Sequence, residues 1–149
     1  MSPRLGGFDA RYPLAFGGLV AVVATAGSLF LSLGLGLVPC ELCWYQRVLM
    51  YPLVVVFGVA LAEGRAGVYR TVLPLSVLGA TVAAYHSWLQ ATAGPQCSFG
   101  GCATVQLRVL GLSIPNLSLL AFVLITGTAA TLGARGRESD RPAGQRRSS

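Results

Sequence analysis

Four long stretches of this chain are apolar and carry no charged side chain. No other feature restricts its fold so strongly. Pro13–Val38 is a run of 26 residues without Asp, Glu, Lys or Arg. As a helix rising 1.5 Å per residue it would reach about 39 Å, enough to cross a hydrocarbon layer of about 30 Å with some tilt. Val48–Ala62 is also uncharged and becomes long enough if its helix begins near Cys43. Thr71–Gln90 and Val109–Gly133 complete the set, with Pro115 near the start of the last. A segment in lipid must satisfy its own backbone hydrogen bonds, and no strand-like alternation competes, so all four are predicted to be helices.

Composition excludes the other broad classes. Hydrophobic types make up 54% of the 149 residues and charged types 11%. A soluble domain carries about 25% charged residues, and disorder requires low hydrophobicity with high charge. The expected fold is therefore an all-α integral membrane four-helix bundle, with helices near 13–38, 43–62, 71–90 and 109–133. Residues 1–12 form a polar lead, 13–133 the transmembrane domain, and 134–149 a basic tail expected to be disordered. The first apolar run continues 12 residues past the small-residue triplet Ala24-Thr25-Ala26. Signal-peptide cores are shorter, so a retained helix is expected.

All 11 basic residues apart from the lone His are Arg, and the net charge is +6. Five of them lie in the last 15 residues, where no aromatic side chain accompanies them, and this argues against nucleic acid. Arg4 and Arg11 precede the first helix, Arg65 and Arg70 lie between the second and third, and five follow the fourth. Arg47 and Arg108 alone fall on the other side. The positive-inside rule then predicts that both termini are cytoplasmic. The tail is read as a solvated segment that can also touch anionic lipid heads.

This orientation, derived from Arg alone, carries all four Cys to the outer face: Cys40, Cys43, Cys97 and Cys102. Thiols outside the cytoplasm oxidise or exchange disulfides. Cys40-Glu41-Leu42-Cys43 is a C-x-x-C, a spacing that serves redox chemistry. Cys43 is expected near the start of the second helix, where the helix dipole favours a thiolate. Arg47, one turn on, shares its face and would hold a thiolate or a reduced anionic cofactor; the plainer reading is snorkelling to lipid heads. The second pair, Cys97 and Cys102, spans a Gly-rich loop that can close on itself. It is read as an exchanging pair, with a static disulfide as the alternative. Four Cys could also bind zinc.

The run Cys40-Glu41-Leu42-Cys43-Trp44-Tyr45-Gln46-Arg47, continuing to Leu53, closely resembles the DsbB/BdbC family of membrane disulfide-generating proteins. Tyr85-His86 with Gln90, and Gly111-Leu112-Ser113-Ile114-Pro115, extend the resemblance over roughly residues 14 to 130. The tight second pair in a short loop is more similar to the Gram-positive, BdbC-type branch. The resemblance implies a protein-disulfide oxidoreductase in the bacterial plasma membrane. It would reoxidise an extracytoplasmic thioredoxin-fold oxidase and pass electrons to membrane quinone, menaquinone or ubiquinone. Its redox-active disulfides would be Cys40–Cys43 and Cys97–Cys102. Arg47, His86, Trp44, Tyr45 and Gln90 would lie on the quinone side. The tyrosines and tryptophans at 44, 45, 51 and 88 also suit an interfacial aromatic belt. Two alternatives are a vitamin K epoxide reductase-like enzyme, whose C-x-x-C sits on a later helix, and a non-catalytic zinc-binding membrane scaffold.

Overall fold

A computed structural model of the chain describes residues 10–92, 108–109 and 111–139. Four helices dominate: α1 (Arg11–Leu29), α2 (Glu41–Glu63), α3 (Tyr69–Thr92) and α4 (Ile114–Ser139). Each supplies a span long and apolar enough to cross a membrane. α1 packs on α2 and α4, and α3 packs on the same two, so the four close into a ring.

The packing follows from the sequence. The buried positions of α2 are Gln46, Met50, Leu53, Phe57 and Ala60; those of α3 are Val72, Ser76, Gly79, Ala83 and His86. Both sets alternate steps of four and three, the 3.5-residue repeat of helices that pack along a seam. The outward faces remain apolar, with Phe16, Leu19, Val23, Val55, Val59, Leu78 and Val123 exposed. Such a surface would drive aggregation in water and is the surface that lipid requires. Pro52 and Pro74 sit inside helices, as transmembrane helices tolerate. The chain is a multi-pass membrane protein.

Small residues let the helices approach. A Cβ at Gly79 of α3 would lie 2.2 Å from the Phe122 ring of α4, whereas one at Gly58 would meet nothing within 4 Å. Beside this contact, Thr126 donates to Ser76 across the same interface at 2.9 Å. Gly79→Ala should destabilise the bundle by about 1–3 kcal/mol through overpacking. Gly58→Ala should leave it unchanged or slightly more stable. Thermal unfolding of the two variants in detergent micelles checks the contrast; equal midpoints would contradict it.

Helix limits differ from the hydropathy limits at three points. α1 passes into a π-helical turn over Phe30–Gly34 and then stops, four residues before Val38. Positive φ at Gly36 (+67°) turns the chain toward Cys40. α4 starts at Ile114 rather than 109, because Arg108–Val109 (β1) pairs antiparallel with Leu112–Ser113 (β2) around Gly111, whose φ is +82°. α4 then runs to Ser139, into the stretch expected to be a disordered tail. Arg135 and Arg137 near its end suit the negative end of the helix dipole.

Candidate active site

The site is assembled where the α1–α2 connection meets the last turns of α3. Cys40 has extended backbone (φ −72°, ψ 169°) and caps α2, its sulfur accepting from the Cys43 N–H at 3.4 Å. This cap folds the C-x-x-C back on itself. The Cys40 and Cys43 sulfurs are 2.8 Å apart, close enough to join as a disulfide once an acceptor takes their two electrons and two protons.

His86 meets the pair from α3. It is 1% exposed, and its Nε2 lies 3.8 Å from Cys40 Sγ. Its Nδ1 lies 3.1 Å from Gln46 Nε2, and Gln46 is itself 5% exposed. Gln46 is the first seam position of α2 and His86 the last of α3. In antiparallel neighbours those positions face each other.

An open cleft between α1, α2 and α4 has Cys43 in its lining. Its apolar wall includes Leu31, Leu37, Met50, Ile114 and Phe122; its polar wall includes Thr25, Ser28, Ser32, Gln46, Arg47 and Ser118, with Cys43 at its edge. Arg47 crosses to α1. Its Nε donates to Ser28 Oγ and an Nη2 to the Ser28 carbonyl, both at 2.8 Å, and the same Nη2 donates to Ser32 Oγ. Trp44 packs beneath the guanidinium, 5.6 Å from its ring centre. The π turn begins two residues after Ser28, and such turns recur at functional sites. Thr25 Oγ1 is buried without a hydrogen-bond partner. A planar, mainly apolar ring bearing two carbonyl acceptors suits this combination of apolar wall, guanidinium and orphaned hydroxyl. The residues present therefore fit a quinone.

Cys40, Cys43 and His86 also form a possible ligand set for a metal ion, their ligand atoms all lying within 4.8 Å of one another. Zinc would hold two thiolates roughly 3.8 Å apart, from bonds of about 2.3 Å at the tetrahedral angle. The two sulfurs are closer than that. Their spacing suits disulfide closure.

The structure brings Cys40, Cys43, Arg47 and His86 into one cluster, but on two sides. His86 abuts Cys40, while Cys43 and Arg47 line the pocket. Trp44 and Tyr45 are 54% and 60% exposed and lie outside the pocket lining. Gln90 is half-buried near the end of α3 and also outside that lining. Tyr51, assigned to the aromatic belt from sequence, lines the pocket. Cys97 and Cys102 lie outside the described residues. Sequence reasoning missed Gln46, Ser28, Ser32 and Thr25. A polar residue on an otherwise apolar seam was the available signal for Gln46.

Comparison with known proteins points to one family. The family model for disulfide bond formation protein DsbB matches residues 10–132. Disulfide bond formation protein C of Bacillus subtilis is 41% identical over 113 residues, covering 72% of this chain and 82% of the relative. A probable disulfide formation protein of Deinococcus radiodurans is 40% identical over 131 residues, covering 78% and 84%. One from Coxiella burnetii is 37% identical over 123 residues, with the same coverage. No solved structure matches. With most of the chain inside the family model and its C-x-x-C capping a membrane helix beside a buried His, this chain belongs to the DsbB family of disulfide bond formation proteins.

Proposed function

We propose that the chain oxidises an extracytoplasmic thioredoxin-fold partner and delivers the electrons to membrane quinone. The observation that carries this reading is the pocket with Cys43 and Arg47 in its wall. It joins a dithiol to a cavity with apolar walls and hydrogen-bond donors. When bound, a quinone supplies a two-electron, two-proton acceptor.

In this reading the cysteines face the extracytoplasmic side and both termini the cytoplasm. A reduced partner thiolate attacks the Cys97–Cys102 disulfide, and the sulfur released there attacks Cys40 of the Cys40–Cys43 disulfide. Cys43 leaves as a thiolate on the pocket wall. Each step is thiol–disulfide exchange, which needs an accessible thiolate and a good leaving group. Arg47, Thr25 and Gln46 would hold the quinone, and Trp44 supports the Arg47 guanidinium from below. Arg47 would also place its positive charge where negative charge develops. Tyr45 and Gln90 are not among the residues that line the pocket.

The test uses the full chain in detergent with a reduced thioredoxin-fold oxidase and a soluble quinone analogue. Catalytic loss of quinone absorbance, absent in Cys43→Ser, is expected. No loss with several partners and quinones, together with stoichiometric zinc, would leave a metal-bound scaffold instead.

A further inference from the structure

Gln46 is not needed as a redox group, yet it is among the most buried polar side chains described. Its amide nitrogen lies 3.1 Å from His86 Nδ1, and the opposite ring nitrogen lies 3.8 Å from Cys40 Sγ. We propose that Gln46 is a positioning residue that fixes the tautomer of His86 and, through it, the hydrogen bonding of Cys40.

A neutral imidazole carries one N–H, and the partner of one nitrogen decides which nitrogen holds it. The Gln46 amide N–H donates to Nδ1. Nδ1 is then an acceptor, so the ring proton resides on Nε2 and points at the Cys40 sulfur. An N–H aimed at sulfur favours the thiolate, because hydrogen bonds to an ionised acceptor are the stronger ones. His86 neither gains nor loses a proton in this role.

Among the described residues, the Cys40 and Cys43 thiols are titratable groups beside the ring, and α2 also carries Glu41 and Arg47 at this end of the bundle. α4 carries Arg135 and Arg137, and α1 carries Arg11, at the opposite end of the bundle. Gln46 thus separates two duties. Cys43 faces the pocket, and Cys40 is kept as the thiolate that returns to close the pair. That assignment of steps rests on the reading proposed above. The tautomer itself does not.

His86 is the only His in the chain, so ¹⁵N-histidine labelling reports on this ring alone, provided the purification tag contains no His. In the reduced wild-type protein near neutral pH, the expected spectrum has Nε2 protonated and Nδ1 bare. The ionised carboxylate of Gln46→Glu can only accept at Nδ1, so Nδ1 should become protonated. A wild-type ring already protonated at Nδ1, or one that Gln46→Glu leaves unmoved, would overturn the proposal.

A second readout uses a chain in which Cys43, Cys97 and Cys102 are Ser, leaving Cys40 as the sole thiol. Gln46→Met and His86→Phe should each slow its alkylation at neutral pH by roughly tenfold and move the rate profile to higher pH. An unchanged profile in Gln46→Met would count against the proposal even if the variant is stable. If that variant fails to fold, the nitrogen spectra of the wild type and Gln46→Glu still decide. Neither readout involves quinone or a partner. Loss of quinone turnover in the wild type would therefore defeat the proposed function and leave the tautomer assignment standing.

Discussion

Serine at Cys40 will abolish disulfide-forming turnover while leaving the protein as stable as the wild type, or more so. An oxygen cannot take part in the exchange, so activity should fall at least about a thousandfold, as when one member of a reacting unit is removed. The stability result follows from the cap. Cys40 Sγ accepts the Cys43 N–H at 3.4 Å, and sulfur is a weak acceptor. Serine is among the preferred N-caps, with effects of about 0.5–2 kcal/mol relative to a residue that cannot cap. Cys40→Ser should therefore match or raise the unfolding midpoint in micelles. Cys43→Ser should lose activity equally but gain no such stability, since the N-cap of α2 is Cys40. A Cys40→Ser variant that unfolds early would show that the cysteine holds the α1–α2 connection in some other way. Retained turnover would remove the C-x-x-C from the reaction.

The membrane architecture was legible because it rests on a bulk property. Four uncharged runs leave few alternatives, and their number and order agree with the helices. Helix limits were less legible because hydropathy does not register backbone geometry. Leu35–Val38 is as apolar as the helix before it, yet a π turn and Gly36 end the helix first. At the other end of the chain, charge misleads in the opposite direction. Arg135 and Arg137 read as the start of a tail, although the C-terminus of a helix accommodates cations.

The site divides in the same way. Cys40 and Cys43 announce themselves by spacing, and Arg47 by its charge near the membrane. His86 was read toward the quinone because an ionisable group in an apolar segment invites that role. The structure places its Nε2 3.8 Å from Cys40 Sγ. Its partner Gln46 sits between an aromatic and an Arg, where a polar side chain draws no attention. Only the four-three spacing of the α2 seam, Gln46, Met50, Leu53, Phe57 and Ala60, marks it as inward. Ser28 and Ser32 are one helical turn apart and look like ordinary small membrane residues. Their significance depends on a contact with Arg47 across another helix, which no local pattern contains.

That contact leads to the second large effect. Under the proposed function, Arg47→Met should raise the quinone KM by roughly tenfold to a hundredfold, the range expected when a charged hydrogen-bond donor is lost at about 1.5–3 kcal/mol. Arg47→Lys should fall between the wild type and Met. An ammonium keeps the charge but lacks the fork that lets Nε and Nη2 engage Ser28 and Ser32 together. Ser28→Ala should raise KM by several-fold, because it loosens the guanidinium without removing it. The deciding measurement is the double variant. If Ser28 acts by orienting Arg47, Ser28→Ala adds nothing once residue 47 is Met, whereas independent contributions would add. Strict additivity would separate the serine from the arginine. An unchanged KM in Arg47→Met would remove the guanidinium from the binding of quinone and leave the pocket's apolar wall as its main attraction.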